Sequence, residues 1–185
     1  MRIISGKFKG RTIEFLKNFN TRPLKDSVKE NIFNIIDHSK EIMVNLKNSN
    51  VLDLYSGVGS FGLECISRGA QNVVFVENNP KTLKILKSNI IKLSNKNSVV
   101  FESKIENFLQ TNNKKKYEII FFDPPFSDEE FVVHLENLRK NNLFKQNHLI
   151  IIHREKKSND NLKNILKVIK IKQYGRSKII FGNFT

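Results

Sequence analysis

The chain has one cysteine in 185 residues, few acidic residues and no long apolar run. A lone cysteine has no intrachain partner for a disulfide, which is typical of a reducing compartment. No segment approaches the roughly 18 consecutive apolar residues of a membrane-spanning helix. The N-terminal stretch MRIISGKFKGRT alternates basic and apolar residues and does not resemble a signal peptide. We therefore expect a cytoplasmic protein with no membrane partner.

Basic residues are in large excess over acidic ones. Lysine and arginine number 32 against 18 aspartates and glutamates, which gives a formal net charge of +14. Such a chain is attracted to polyanions, including nucleic acid. The first 30 residues contain three acidic residues and these eight basic ones: Arg2, Lys7, Lys9, Arg11, Lys17, Arg22, Lys25 and Lys29. Because a lysine-rich composition raises the charge everywhere, charge alone leaves the partner open.

Residues 1–45 are predicted to form a small extension. Residues 2–16 alternate apolar and basic side chains around two glycines, which predicts a basic β-hairpin. Residues 24–38 place apolar side chains at helical spacing, which predicts a helix capped by Asp26 or Ser27.

Residues 46–185 are predicted to form the main domain. From Val51 onward, strand patterns alternate with helix patterns, which is typical of a doubly wound α/β sheet. Two final strand patterns flank Gly175 and predict an antiparallel pair. We expect this chain to be a monomer.

A glycine-rich loop follows the first predicted strand of the main domain, in the stretch VLDLYSGVGSFGLE. Gly57, Gly59 and Gly62 form a G-x-G-x-x-G pattern that leads into a helix, and Glu77 ends the next predicted strand. Such glycines let a nucleotide approach the backbone closely, and an acidic residue at this distance binds ribose hydroxyls. The pattern predicts a nucleotide cofactor without choosing which one.

Asp53 argues against a dinucleotide, because its carboxylate would repel a pyrophosphate approaching the loop. It favours a ligand with a positive end, such as the ammonium and sulfonium of S-adenosylmethionine. The alternative is a carboxylate that caps its own loop.

The stretch IIFFDPPF places Asp123, Pro124, Pro125 and Phe126 directly after a predicted buried strand. Ligands of open parallel sheets lie at the carboxyl ends of the strands. There, Asp123 and the Pro124 carbonyl can accept both protons of an exocyclic nucleobase amine, and Phe126 can stack on a flipped base. The alternative is a rigid turn with a buried phenylalanine.

Cysteine and histidine play small parts in this prediction. Methylation at carbon 5 of a pyrimidine needs a cysteine nucleophile, whereas Cys65 is predicted to be a core residue of a helix. The chemistry should therefore be direct transfer to nitrogen. We expect His38, His134 and His148 at the surface or at helix ends. His153 is expected to follow the fifth strand and to be a candidate for the substrate pocket.

The chain resembles the RsmD family, bacterial methyltransferases that act on the exocyclic N2 of one guanine in 16S ribosomal RNA. The segments that carry the resemblance are RIISGKFKGR, TRPLKDSVKENIFN, LDLYSGVGSFGLE, IIFFDPPF and YGRSKIIF. The second of them is the most specific, because general methyltransferases lack it. The resemblance implies a class I S-adenosylmethionine-dependent methyltransferase fold, with a Rossmann-like seven-stranded sheet and an N-terminal hairpin and helix that help to bind RNA.

The resemblance also implies a set of site residues and no metal. The cofactor residues are Asp53, Tyr55, Gly57, Gly59, Glu77, Asn78, Lys104 and Ile105. The catalytic residues are Asp123, Pro124, Pro125 and Phe126. The residues expected to contact RNA are Arg2, Lys7, Lys9, Arg11, Arg22, Pro23 and Lys29. One departure is that Lys104 stands where the family usually has a small polar or acidic residue, which leaves the backbone or Ile105 to contact the adenine.

The leading hypothesis is transfer of a methyl group from S-adenosylmethionine to N2 of a specific guanine in 16S ribosomal RNA, within the small subunit or its assembly intermediate. One alternative is an adenine-N6 DNA methyltransferase, because D-P-P-F serves that amine equally well. Another is a non-catalytic RNA-binding assembly factor. An NAD-dependent oxidoreductase is disfavoured, because that activity would give the D-P-P motif no function.

Overall fold

Seven strands form one mixed sheet in the computed structural model, which describes residues 1–16, 24–93, 97–111, 115–128 and 130–185. The strands are β1 (Asn50–Leu54), β2 (Asn72–Glu77), β3 (Ser98–Glu102), β4 (Tyr117–Phe122), β5 (Phe144–Glu155), β6 (Leu166–Tyr174) and β7 (Ser177–Phe184). Their order is β3-β2-β1-β4-β5-β7-β6, and β7 runs antiparallel to both of its neighbours. The predicted α/β fold with a seven-stranded sheet is confirmed.

Within the described part of the chain, five helices lie against this sheet: α1 (Asp26–His38), α2 (Ser60–Ser67), α3 (Pro80–Lys92), α4 (Ile105–Thr111) and α5 (Phe131–Lys140). Helix α3 begins as its sequence predicts. Pro80 occupies its first turn, and the Asn79 side chain accepts hydrogen bonds from the next free backbone N–H groups. Among the described residues, no helix combines the length and apolar character needed to cross a bilayer.

Alternate residues of the central strands enter two separate cores, as expected for a sheet covered on both faces. Val51 and Phe121 belong to the core that also contains apolar residues of α1, α2 and α3. Leu52 and Phe122 belong to the core that also contains residues of α4 and α5. The sheet therefore lies between two helical layers, and its carboxyl edge remains the place where a ligand can enter.

The N-terminal segment forms a shorter pairing than the predicted hairpin. An antiparallel bridge joins Arg2 to Thr12, with backbone hydrogen bonds of 2.9 Å on both sides of it. No regular strand forms within residues 1–16. The pairing does not extend further, and the next backbone N–H groups, those of Ile4 and Ser5, donate to the Glu64 carboxylate at 2.8 and 2.9 Å.

Helix α1 matches its predicted range, but its predicted cap is wrong. Lys25 occupies the capping position without a side-chain hydrogen bond, and Asp26 is the first helical residue. Val28 and Phe33 pack in the same core as Val51 of the main sheet. The extension and the main domain thus share a hydrophobic core, and the division at residue 45 stays a prediction.

Glu64 of α2 anchors the N-terminal segment. Its carboxylate is fully buried and accepts hydrogen bonds from Ile4 and Ser5 and, at 2.9 Å, from Nε of Arg68. Lys29 of α1 is fully buried as well, and its Nζ lies 3.6 Å from the same carboxylate. A buried carboxylate with several donors is costly to disturb, because each donor then loses its partner.

Lys29 was expected to contact RNA, and the structure corrects this. Its ammonium donates to the backbone carbonyl of Arg2 at 2.7 Å and has no exposure to solvent. Burial lowers the pKa of Lys29, and the nearby charge of Glu64 partly opposes that effect. Lys29 therefore links α1 to the N-terminal segment through a hydrogen bond from a buried side chain.

We predict that Glu64→Gln lowers the free energy of unfolding by about 3 kcal/mol, because Lys29 and Arg68 lose their buried counter-charge. Urea unfolding measures the loss. The control is Glu102→Gln, which breaks an exposed pair with Lys87 whose side chains are 52% and 47% exposed. The control should lose less than about 1 kcal/mol. Equal small losses in both variants would show that the buried network does not anchor the extension.

Candidate active site

The register of the parallel strands places four side chains in one row at the carboxyl edge. In the pairings among β2, β1, β4 and β5, the last residues to lie side by side are Val76, Leu54, Phe122 and Ile152. The next residues along these strands are Glu77, Tyr55, Asp123 and His153. Three of these were predicted as site residues, and the fourth, His153, was expected near the substrate pocket.

Glu77 binds the backbone of the glycine-rich loop. Its Oε2 accepts a hydrogen bond from the Gly57 N–H at 2.8 Å, and its Oε1 accepts from Asn78 and Asn79 at 3.0 and 2.8 Å. A carboxylate offers about four acceptor positions, so capacity remains for one hydroxyl donor. Gly57 has a φ of +55°, and the nearest atom to a Cβ at this position would be the Tyr55 carbonyl oxygen at 4.0 Å. The loop therefore leaves room beside its backbone.

Asp53 is buried beneath the same loop. Its Oδ2 accepts a hydrogen bond from the Gly62 N–H at 2.9 Å. A Cβ at Gly62 would lie 2.3 Å from the Phe75 ring, so glycine allows α2 to pack this closely. Burial raises the pKa of the Asp53 carboxyl, and the charges of Asp123 and Glu77 raise it further. This environment favours a cationic ligand over an anionic one.

Two cavities lie at this edge. Residues lining the first, the apolar cavity, include Asp53, Gly57, Phe61 and Asp123, with Met1, Phe15, Leu16 and Leu24 from the N-terminal segment. Residues lining the second, the polar cavity, include Tyr55, Glu77, Asn78, Lys104, Ile105, Glu106 and His134. Both cavities border the row described above, and all the predicted cofactor residues except Gly59 line one or the other.

Gly59 has a supporting position. Its φ is +87°, and a Cβ there would lie 2.6 Å from Leu86 of α3. It therefore permits the left-handed turn and the close packing that start α2.

Tyr55 and His134 form a pair that sequence reasoning missed. The Tyr55 hydroxyl lies 2.7 Å from Nδ1 of His134, whose Nε2 lies 2.8 Å from Glu106 Oε1. His134 is buried, as is His148, so their expected surface positions are wrong. Tyr55 also has a φ of +56°, an uncommon backbone for a bulky residue. Such strain is often found at functional sites.

The Glu106, Glu130 and His134 side chains place three potential ligand atoms within 4.8 Å of one another. Both ring nitrogens of His134 already have partners, Tyr55 and Glu106. This group therefore gives no reason to propose a metal.

Asp123 and its loop are held from β5. Nδ1 of His153 lies 2.8 Å from Asp123 Oδ1, and the rings of His153 and Phe126 are 5.7 Å apart and nearly perpendicular. His153 lies within β5 and not after it. Arg154, which is buried, donates from NH1 to the Pro125 carbonyl at 3.0 Å. The lysine-rich sequence around Arg154 does not indicate this role. The strand register, in contrast, could have predicted that His153 lies beside Asp123.

The residues expected to contact RNA divide into three groups. Those exposed on the N-terminal segment are Arg2, Lys7, Lys9 and Arg11. Those outside the described residues are Arg22 and Pro23. Lys29 is buried. Arg11 is partly engaged, since its NH1 donates to the Lys92 carbonyl at 3.0 Å.

We predict that Asp53→Asn stabilises the protein at pH 7 by on the order of 1 kcal/mol or more, because each unit of pKa shift corresponds to about 1.4 kcal/mol. Asp53 binds its proton more tightly in the folded chain, so folding weakens as pH rises from about 4 through the raised pKa. The amide avoids this cost and still offers an oxygen to Gly62. Urea unfolding at pH 7 and pH 4 measures the gain, which should shrink at pH 4.

The control for this prediction is Asp37→Asn, at a half-exposed carboxylate 3.5 Å from Arg68. It should lose at most about 1 kcal/mol. A loss of stability in Asp53→Asn at pH 7, or a gain that does not depend on pH, would contradict the account of Asp53.

Comparison with known proteins identifies a family for this chain. Residues 1–183 match the family described as "Conserved hypothetical protein 95". The chain is 37% identical over 155 residues to the Ribosomal RNA small subunit methyltransferase D of Buchnera aphidicola subsp. Baizongia pistaciae, covering 84% of this chain and 76% of that one.

Solved structures agree in fold. A putative methyltransferase from Escherichia coli has a TM-score of 0.85 at 24% identity, covering 100% of this chain and 97% of that one. A putative methyltransferase solved with SAH has a TM-score of 0.67 at 13% identity, covering 84% of this chain and 48% of that one. The match over residues 1–183 and the 37% identity confirm the resemblance that the motifs predicted, and the chain belongs to the RsmD family.

Proposed function

We propose that this chain transfers a methyl group from S-adenosylmethionine to the exocyclic N2 of a guanine in 16S ribosomal RNA of the small subunit. The observation that carries the proposal is the position of Asp123, in the middle of the carboxyl edge and on the wall of the same cavity as Asp53. One carboxylate suits a cationic donor, and the other suits an amine. The relative named Ribosomal RNA small subunit methyltransferase D supports the choice of substrate.

The residues at the edge fit S-adenosylmethionine. Asp53 would attract its positive end in the apolar cavity, where burial, together with the charges of Asp123 and Glu77, raises the pKa of its carboxyl. Glu77 would accept from a ribose hydroxyl with its remaining capacity, in the polar cavity. Asn78 and Ile105 would flank the adenine there, with exposed Lys104 outside them. When bound, S-adenosylmethionine supplies an electrophilic methyl group.

Asp123 and its loop would orient the acceptor. An exocyclic amine is a poor nucleophile because its lone pair is delocalised into the ring. Asp123 accepts one N–H and the Pro124 carbonyl accepts the other, which directs the nitrogen lone pair at the methyl group. Phe126 stacks on the base after it leaves its helix or loop. Alignment and fixed charges of this kind can supply most of a rate enhancement.

The N-terminal segment would bind the RNA backbone. Lys7 and Lys9 are exposed, and the Lys7 N–H donates to the Ser67 carbonyl at 2.7 Å, at the end of α2 that is distant from the glycine-rich loop. The same segment lines the apolar cavity through Met1 and Phe15. RNA that enters the cavity would therefore extend along the segment to reach these lysines. Arg22 and Pro23 are proposed as RNA contacts from the sequence alone.

We predict that Asp123→Ala lowers methyl transfer to small ribosomal subunits by at least about 100-fold, because the amine loses its main orienting acceptor. Labelled S-adenosylmethionine and subunits lacking native methylation provide the assay. Asp123→Asn should keep part of the activity, since its amide oxygen still accepts an N–H. Titration calorimetry should give both variants a cofactor affinity within about threefold of the unsubstituted protein.

Three results would overturn parts of this proposal. Near-normal turnover in Asp123→Ala would remove the amine-orienting role. Label on duplex DNA in place of ribosomal subunits would favour an adenine-N6 DNA methyltransferase. Cofactor binding without transfer to any nucleic acid would favour a non-catalytic assembly factor.

We further predict that Lys7→Gln/Lys9→Gln weakens RNA binding and lowers the slope of log K against log salt by about 1.5, because two phosphate contacts are lost. Fluorescence anisotropy over a salt series measures it. The control is Lys116→Gln/Lys140→Gln, two exposed lysines outside the N-terminal segment, before β4 and at the end of α5, which removes the same charge. An equal slope change in the control would mean that binding depends on net charge and not on this surface.

A further inference from the structure

We propose that His153 is a positioning residue for methyl transfer: its Nδ1–H donates to Asp123 Oδ1 and so reserves Asp123 Oδ2 for the amine of the base. This inference rests on the proposed function and specifies how its central carboxylate is oriented.

The contact is built by two neighbouring central strands. Phe122 of β4 lies beside Ile152 of β5, so the next residues, Asp123 and His153, are neighbours at the carboxyl edge. Nδ1 and Oδ1 are 2.8 Å apart. The His153 side chain is 7% exposed and that of Asp123 is 24% exposed. The imidazole is therefore nearly enclosed, while the carboxylate keeps access to the cavity.

The direction of the hydrogen bond follows from the chemistry of the two groups. An ionised carboxylate can only accept, so Nδ1 must carry the proton. The Phe126 ring lies against the imidazole at 5.7 Å, with the ring planes at 78°. His153 thus contacts both chemical groups that the motif presents to a base, the carboxylate and the aromatic ring.

This arrangement has a consequence for the reaction. As the new N–C bond forms, the C–S bond breaks with its electron pair going to sulfur, and the amine nitrogen becomes cationic. Asp123 Oδ2 accepts a hydrogen bond from this nitrogen while the bond forms, and the proton that the nitrogen then loses passes to solvent. A carboxylate free to rotate would offer either oxygen at varying angles. Donation from His153 fixes the plane of the carboxylate, so that Oδ2 faces the cavity.

The loop has a second support that does not depend on His153. Arg154 donates to the Pro125 carbonyl at 3.0 Å, and its guanidinium lies 4.3 Å from the centre of the Phe131 ring. Asp160 accepts from Arg154 at 3.1 and 3.0 Å. A substitution at His153 should therefore leave the loop in place and disturb mainly the orientation of Asp123.

The test compares His153→Leu with His153→Asn, because the asparagine amide can place an N–H close to the position of Nδ1. In the ribosomal-subunit assay, His153→Leu should lower kcat about 10- to 100-fold, with KM for the subunit and cofactor affinity changed less than about threefold. His153→Asn should recover most of the lost kcat. His38→Leu, at the exposed end of α1, is the control and should behave like the unsubstituted protein.

Unchanged kcat in His153→Leu overturns the proposal. So does an equal defect in His153→Leu and His153→Asn with weakened cofactor binding, because that pattern indicates a structural role. Nitrogen-15 NMR of the histidine rings gives a readout that needs no activity. The Nδ1–H tautomer, with a signal that changes in Asp123→Ala, supports the inference. The Nε2–H tautomer overturns it even if the protein methylates RNA. Absence of methyl transfer by the unsubstituted protein counts against the proposed function, and the NMR result then decides the role of His153 alone.

Discussion

The parallel register of β2, β1, β4 and β5 is the constraint on which the site depends. Because the four strands pair in register, Glu77, Tyr55, Asp123 and His153 lie in one row. A shift of one residue in any pairing would turn the side chains of that strand to the opposite face. Buried residues on both faces of the sheet make such a shift costly, since two separate cores would be disrupted. The same packing that stabilises the fold therefore fixes the spacing between the glycine-rich loop and the D-P-P-F loop.

Hydrogen bonds to two buried side chains join the N-terminal segment to α1 and α2. Glu64 binds the backbone of Ile4 and Ser5, and Lys29 binds the Arg2 carbonyl. These contacts hold the segment against α2, next to the glycine-rich loop, and its apolar residues complete one wall of a cavity that Asp53 and Asp123 also line. The extension therefore does more than present basic side chains. It also shapes the space in which donor and acceptor are proposed to meet.

Short sequence patterns predicted the parts of the molecule that depend on interactions between residues close in sequence. The ends of β1, β2 and β4, the glycine-rich loop, Glu77 and Asp123 lie where the sequence predicts them, because buried strands and positive-φ glycines have recognisable sequence patterns. The buried Lys29–Glu64 pair was missed, since its members lie 35 residues apart on separate helices and each resembles an ordinary surface charge. The predicted hairpin is present only as a short pairing of residues 1–3 with 11–13, and the next N–H groups, those of Ile4 and Ser5, bind Glu64, which lies about 60 residues away in the sequence. His134 was misplaced because its partners, Tyr55 and Glu106, are distant in sequence.

The central claim is that the row at the carboxyl edge methylates the exocyclic amine of a guanine. The most direct test is nucleoside analysis of 16S ribosomal RNA after reaction of unmethylated small subunits with the protein and labelled S-adenosylmethionine. The account predicts label in N2-methylguanosine. Label in N6-methyladenosine, in a methylated pyrimidine or in ribose would contradict it.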